Sequence, residues 1–444
     1  MRKVFRDTIH NLISFDNEEK LIIDLINTKE MQRLRRIKQL GLSYVTYSGT
    51  DHSRFSHSLG VAYLAKRVLS ALSQYEEGSK TKDYIKELKE NSLLIVTAAL
   101  LHDLGHGPFS HALERITGKN HEKWTIEIIC DKSTEVNKIL KEHSAGFVER
   151  VQNIIRRTDI SILVKVISSQ LDVDRFDYLL RDSFFAGVEY GKFDLEWILR
   201  SLRVRKVKEF PEIVLDISKG KHAAEGYILS RYWMYTQVYY HKTTRGAEVL
   251  IDKILKRAKD IVDSISCDSI MKKLLNNETI TVTEYLMLDD VTFLYHFKEW
   301  LNCNDKILSD LCNRLLNRKL FKSVDLTGKV GLKKFSTEVM IPLIEQAKDK
   351  GFEHKYYIES DVAINTAYKD YYLFPKRNEN KESIDNKNTD EEATEQIFVL
   401  LKDGSIDEFS RQSEVINTLR NEKIILERLY FPEELKENIR KLLV

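Results

Sequence analysis

Residues 93–122 read LLIVTAALLHDLGHGPFSHALERITGKNHE, and the fold turns on how that stretch is laid out. Leu93–Leu101 is apolar apart from Thr97 and predicts a buried helix. His102 and Asp103 stand at its C-terminal end, where Gly105, Gly107 and Pro108 stop the helix and let the backbone turn. That turn brings His106 and His111 back toward the same place. A lone histidine is most often a satisfied core or surface residue. His-Asp followed by two more histidines within nine residues points instead to a site, because imidazole nitrogen and carboxylate oxygen together suit a first-row divalent metal. Six of the chain's 12 histidines (His52, His57, His102, His106, His111 and His121) lie within seventy residues.

Outward from this stretch, helical periodicity dominates the first 300 residues, with apolar residues at i, i+3, i+4 spacing in Leu21–Leu40, Leu59–Leu72, Ile85–Leu101, Ile160–Leu180 and Ala223–Ser264. Arg203–Phe210 and Glu212–Ile217, split by Pro211, read as a hairpin. Later the texture changes to short β-branched or aromatic runs: Lys355–Ile358, Tyr371–Phe374, Ile397–Leu401 and Ile424–Tyr430. Lys376–Gln396, rich in Asn, Glu and Lys, reads as a solvated, disordered loop. The expected architecture is mainly α: a helical catalytic domain over 1–330, its core near 50–180, then a smaller α+β region over 331–444.

Composition removes several function classes. Lys+Arg minus Asp+Glu is 70 − 68 = +2, so no global field recruits nucleic acid or an anionic membrane, and a bound anion must be held by locally placed cations. Four scattered cysteines give neither a CxxC pair nor a disulfide framework. MRKVFRDTIHNL has no apolar h-region, and Leu93–Leu101 is about half the ~20 residues a membrane span requires. A soluble, cytoplasmic protein is expected.

HDLGHGPFSH, with His57 of RFSHSLGVAYLA standing 45 positions before His102, resembles the HD superfamily of metal-dependent phosphohydrolases. Within it the match is closer to the deoxynucleoside triphosphate triphosphohydrolases, the branch of the vertebrate SAM-and-HD-domain enzymes and bacterial dGTPase-like enzymes. The resemblance runs from KVFRDTIH and MQRLRRIKQLG to about Lys256, and loosely beyond it around ERLYFP. It implies His57, His102, Asp103 and Asp174 as ligands of a divalent ion (Mn, Mg, Fe or Zn), which would polarise a phosphoryl group and lower the pKa of a water. Asp174 belongs to VDRFDYLLRDS, where at ~100° per residue Asp174, Asp177, Tyr178, Arg181 and Asp182 share one helix face. Asp177 and Arg181 are read as a structural pair beside the site.

The branch releases a deoxynucleoside and inorganic triphosphate by attack of water at the α-phosphorus. Its pattern implies catalytic roles for His106 and His121, with His111 a further candidate oriented by Glu114 at i+3, and Glu122 as a carboxylate able to polarise an imidazole. Vertebrate members carry aspartate at the position of Glu114. Arg54, Arg175 and Arg231 match phosphate-holding positions, position 175 being lysine in vertebrates; a planar guanidinium suits a polyphosphate. Gln39, Leu40, Tyr178, Asp182, Tyr235 and Tyr239 match sugar and base contacts. Arg231, Tyr235 and Tyr239 fall at i, i+4, i+8 on one face, with Trp233 expected in the core on the other. Tyr235 replaces a family histidine near the base.

Lys3, Val4, Asp7, His10 and Arg35 resemble a regulatory nucleotide site at which vertebrate members read guanine with an aspartate. That position is Asn27 here, and an amide offers one acceptor oxygen where two are needed. The implied partners are a dNTP and further copies of the chain, as dimer or tetramer. Two other classes stand against this reading: an HD phosphodiesterase or nuclease, disfavoured by Gln39, Tyr178 and Asp182 together and by the +2 charge, and a non-catalytic nucleotide sensor or nucleic-acid-binding scaffold, disfavoured by the complete ligand and acid–base set.

Overall fold

The computed structural model describes residues 2–74, 79–109, 111–158, 161–208, 210–327, 339–366, 396–420 and 422–443. The molecule is mainly α. An N-terminal hairpin, β1 (Lys3–Asp7) and β2 (Asn11–Phe15), precedes α1 (Lys20–Ile26) and α2 (Lys29–Arg33). The centre is built by α3 (Arg54–Ser73), α4 (Ser79–Glu90) and α5 (Ser92–Leu101), followed by α6 (His111–Thr117), α7 (His121–Cys130), α8 (Glu135–His143), α9 (Phe147–Ile155), α10 (Ile162–Ile167) and α11 (Val173–Ala186). Beyond these come α12 (Leu195–Ser201), the hairpin β3 (Leu202–Val207) and β4 (Phe210–Asp216), α13 (Ile217–Met234), α14 (Lys242–Asp260), α15 (Ser269–Leu275), α16 (Val282–Tyr285), α17 (Asp290–Trp300) and α18 (Lys306–Leu316).

Helix α5 is buried on all sides from Leu94 to Leu101, as its apolar run requires, and packs against α3. Helix α3 in turn packs against α11, and Gly60 is why they come so close. A Cβ there would stand 1.9 Å from Asp177 Oδ1 and 2.5 Å from Arg181 Nη2. One main core runs from Ile13 to Tyr430.

The C-terminal part is α+β. Strands β5 (Lys322–Asp325), β6 (Glu359–Thr366) and β9 (Lys423–Phe431) form an antiparallel sheet in the order β5-β9-β6. A second small core, with Leu343, Leu429, Phe431 and Leu435, lies beside it. Strand β7 (Phe398–Leu400) instead runs parallel to β4, and β8 (Ile406–Glu408) completes that sheet.

Several sequence boundaries move. The Leu21–Leu40 run is two helices, because Thr28 accepts the Met31 N–H and starts α2 afresh, and regular helix ends by Arg36. Ile85–Leu101 breaks at Asn91, and Ile160–Leu180 breaks between Ile167 and Val173, where Asp172 caps α11. Ala223–Ser264 is α13, a π-helical turn over Tyr235–Tyr239, then α14. The hairpin pairs Val207 with Phe210, so Pro211 lies within β4 opposite Lys206, on a stretch whose other side pairs with no strand among the described residues. Lys355–Ile358 is not a strand: His354–Tyr357 is a helical turn and β6 starts after it. Tyr371–Phe374 and all but the last residue of Lys376–Gln396 lie outside the described residues. Among the described residues no helix is long and apolar enough to cross a membrane.

Candidate metal and active site

Four ligand-type side chains converge from three segments. His57 Nε2, on the first turn of α3, stands 3.0 Å from Asp174 Oδ1 and 3.7 Å from Asp103 Oδ2. His102 Nε2, at the end of α5, stands 3.3 Å from Asp103 Oδ1 and 3.5 Å from Asp174 Oδ1. The second nitrogen of each imidazole is already used. His57 Nδ1–H donates to Asp177 Oδ2 at 2.8 Å and His102 Nδ1–H to the Ala99 carbonyl at 2.8 Å. Those bonds fix the tautomers and aim both Nε2 lone pairs at the centre, as metal-ligating histidines require. His102 Nε2 is buried without a hydrogen-bond partner among the described residues. His57, His102 and Asp103 have the donor set and spacing to hold a divalent ion, with Asp103, His106 and His121 a second such group beside them.

The electrostatics agree. Burial opposes charge on His57, but its hydrogen bonds to the Asp174 and Asp177 carboxylates outweigh that and raise the imidazole to about 10. His102 is likewise raised against burial by Asp103 and Asp174. Burial favours the neutral acid at Asp103, yet His102, His106 and Arg54 hold it well below the carboxylate range; Asp174 is lowered by His102 and His57 in the same way. A pocket that keeps two carboxylates ionised and pulls protons onto imidazoles demands positive charge. A divalent cation meets that demand better than protons, because it also satisfies the lone pairs.

Beside this group, His106 and His121 stack with ring centroids 3.8 Å apart. His121 Nδ1 is 2.7 Å from Glu114 Oε1, and its backbone N–H donates to the same oxygen at 3.1 Å. Burial opposes charge on His121, but Glu114 raises it. His106 is pushed well below its usual range by burial, Arg54 and His121. The pair is therefore split into one imidazole disposed to carry a proton and one disposed to lack it. Glu114 serves His121, seven residues on; the His111 side chain, which its i−3 spacing also suggested as a partner, lies outside the described ones. The carboxylate in contact with His121 is that of Glu114, whereas Glu122 accepts from Arg157 at 3.0 Å on the protein surface.

The expected substrate residues fall into three sets. Arg54 Nη1 donates to Asp103 Oδ2 at 2.6 Å and Nη2 to the Gln39 carbonyl at 3.4 Å, linking Gln39 to a metal ligand through one side chain. Gln39 Oε1 is buried with no hydrogen-bond partner among the described residues, and Leu40 packs half-buried on the core. Arg175 donates to Ser169 O at 2.5 Å and pairs with Asp172, while Arg231 donates to Gln170 Oε1 at 2.8 Å, so both meet one turn before α11. Asp182 Oδ2 accepts from Tyr239 OH at 2.9 Å, and Tyr239 lies edge-on to Tyr178 at 6.3 Å and to Tyr235 at 4.9 Å. Although Tyr235–Tyr239 is a π-helical turn, the expected stripe continues through it: the Arg231 guanidinium lies 5.8 Å from the Tyr235 ring, which meets Tyr239 in turn. Trp233 is 43% exposed and not a core residue.

Comparison with known proteins now decides the family. The model described as HD domain matches residues 54–182, and the one described as HD associated region matches 193–444. The chain belongs to the HD-domain phosphohydrolase family. It is 39% identical over 437 residues to the Bacillus subtilis protein YwfO, spanning 98% of this chain and 93% of that one. It is 31% identical over 294 residues to the Danio rerio deoxynucleoside triphosphate triphosphohydrolase SAMHD1, covering 58% of this chain but only 45% of that relative. A solved phosphohydrolase from Bacteroides thetaiotaomicron superposes with a TM-score of 0.80 at 27% identity, covering 98% of this chain and all of that one.

The N-terminal residues expected at a regulatory nucleotide divide into two sets. Lys3, Val4, Asn27 and Arg35 are exposed. Asp7 and His10 are turned inward: Asp7 accepts from Arg181 at 2.8 and 3.2 Å, and His10 Nε2 meets Asp177 Oδ1 at 2.6 Å, both side chains nearly inaccessible. In this HD enzyme they buttress Asp177, and through it His57, so their carboxylate and imidazole are not available to a nucleotide. The sequence reading also missed His52, which stacks on Phe185 at 4.5 Å and meets Asp182 Oδ1 at 2.8 Å. Its place in the histidine-rich stretch was the available signal; its partner, 130 residues away, was not visible.

Proposed function

We propose that this HD phosphohydrolase hydrolyses deoxynucleoside triphosphates to deoxynucleoside and inorganic triphosphate. The observation that carries the reading is the single face of α11. Asp174 lies at one end of it, Tyr178 a turn on and Asp182 two turns on, about 12 Å away at ~1.5 Å per residue. That stride suits a phosphate at the metal end and a sugar at the other. Gln39 Oε1 supports it as a buried acceptor able to take a hydroxyl proton. A divalent ion at His57, His102, Asp103 and Asp174 would supply Lewis-acid polarisation of the phosphoryl group.

The chain's own residues do the rest of the work in this reading. Arg54, Arg175 and Arg231 balance the polyphosphate charge. Water attacks the α-phosphorus, the bond to the 5′-oxygen breaks, and His121, kept protonated by Glu114, gives its proton to that oxygen. His106, held neutral, orders the water through one ring nitrogen. Asp182 and Tyr239 hold the sugar edge, leaving little space for a 2′-hydroxyl. Self-association as dimer or tetramer belongs to the same proposal and is read by sedimentation. Purified protein incubated with Mn²⁺ and each dNTP or NTP tests the chemistry: deoxynucleoside plus tripolyphosphate supports it, whereas nucleoside monophosphate, or no turnover, overturns it.

A further inference from the structure

The turn that carries His106 is gripped from outside the HD domain. Phe109 has φ +50°, a left-handed backbone that a bulky residue keeps only where its surroundings hold it. The surroundings are residues 285–297 of the HD-associated region. Asp290 Oδ1 accepts the Phe109 N–H at 3.1 Å, and the Phe109 ring packs 6.2 and 6.3 Å from Phe293 and Phe297. Tyr285 OH donates to the Gly105 carbonyl at 2.6 Å. Buried Arg33 donates to the His106 carbonyl at 2.8 Å and to the Leu288 carbonyl at 2.8 Å, tying the turn to the same segment.

Asp290 does one thing more. Its Oδ2 accepts the backbone N–H of Lys38 at 2.9 Å, the residue before Gln39. One buried carboxylate thus joins the turn bearing His106 to the strand-like segment bearing Gln39. Capping α17 is not its task, because Asp289 does that through the Thr292 N–H at 3.1 Å and also pairs with Arg36 at 2.5 Å. Burial pushes the Asp290 carboxyl up to about 6 in spite of its two N–H partners. The fold keeps an acid whose ionisation it disfavours, which points to what the oxygens accept rather than to stability.

We propose that Asp290 is a positioning residue of the active site, fixing the His106 turn against the Gln39 segment so that acid–base and sugar-binding groups keep one spacing. The proposal rests on the reading that His106 and Gln39 face substrate. Asp290→Asn is nearly isosteric but has one acceptor oxygen, and its amide N–H₂ must face one of the two backbone donors. The expected result is a kcat lower by about 10²-fold, the scale of a 1 Å misplacement, with bound metal unchanged since Asp290 touches none of His57, His102, Asp103 and Asp174. Asp290→Glu, which keeps both acceptors, recovers part of kcat, and Asp290→Ala does not. Hydrogen exchange supplies a readout that needs no substrate: the Lys38 and Phe109 amides exchange faster in Asp290→Asn, while α3 and α11 stay protected. Unchanged exchange at those two amides overturns the clamp whatever the substrate proves to be. Faster exchange with an unchanged kcat on dNTP overturns the positioning role, and so does a fall in kcat that only tracks metal loss.

Discussion

Asp177→Asn isolates the second layer of the metal site. Asp177 is fully buried and takes four contacts: His57 Nδ1 at 2.8 Å, His10 Nε2 at 2.6 Å, Arg181 Nε at 2.8 Å and Arg181 Nη2 at 2.9 Å. An amide of the same shape has one acceptor atom. If its oxygen faces His57, its N–H₂ confronts Arg181 or His10. If it flips, His57 Nδ1 must accept, its proton moves to Nε2, and the lone pair a metal needs is gone. Loss of such a supporting bond weakens metal affinity by about 10- to 100-fold, roughly 1.4–2.8 kcal/mol. The fold suffers less than the ~3–5 kcal/mol of an orphaned buried charge, because Arg181 keeps Asp7 at 2.8 and 3.2 Å. Calorimetric titration of Mn²⁺ into chelator-treated protein, with thermal melting alongside, measures both quantities. Asp174→Ala, which removes a ligand outright, sets the floor: it should retain no metal and hydrolyse nothing. Wild-type Mn²⁺ affinity in a variant with a lowered melting temperature would falsify the claim that Asp177 tunes His57.

Three further outcomes are expected. Gln39→Ala lowers kcat/KM for dNTPs by about 1–3 kcal/mol through the lost 3′-hydroxyl contact; a 2′,3′-dideoxy substrate should lose nothing more in the variant, and equal losses on both would place Gln39 elsewhere. Glu114→Gln removes the carboxylate that raises His121, so the imidazole loses its proton at lower pH and the alkaline limb of kcat moves down; a pH profile with that limb unmoved would exclude His121 as the acid. Asn27 is exposed and its amide donates to the Ile23 carbonyl at 2.9 Å, so dATP and dTTP are hydrolysed without added GTP; an enzyme silent until GTP is supplied would overturn that reading.

The buried run Leu93–Leu101 and the Gly-Pro break after it placed His102, Asp103 and His106 correctly because both signals are local: an apolar period and a backbone stop. The Asp174 face of α11 was legible for the same reason. What the sequence could not show were contacts set by packing. Glu114 finds His121, seven residues on, because the chain turns at Gly118 (φ +64°) before α7 begins. His10 reaches Asp177 and Asp7 reaches Arg181 only because the β1–β2 hairpin folds against α3, and Gly60 admits Asp177 to within reach of His57. Periodicity also carried helices too far, through Asn91 and through Tyr235–Tyr239, since a break or a π-turn changes hydrogen bonding without altering the apolar pattern much.

The ion pairs behind the site bear on why it is built so rigidly. Asp7, Arg181, Asp177, His10 and His57 form a chain of buried charged or polar groups within one hairpin and two helices. Buried pairs of this kind contribute little net stability, since desolvation offsets their attraction, and apolar replacements often fold as well or better. Each link here instead fixes the geometry of the next, ending at the nitrogen opposite the metal-facing lone pair. On the other side of the site Asp290 does the same for backbone amides, again at a desolvation cost. Both supports come from outside residues 54–182, one from the first ten residues and one from the associated region. It follows that residues 54–182 expressed alone would keep every metal ligand yet bind Mn²⁺ more weakly than the whole chain, because His57 would lack the Asp7–Arg181 and His10 contacts that hold Asp177 in place. Equal affinity in the two would mean that the α3–α11 packing around Gly60 is sufficient by itself.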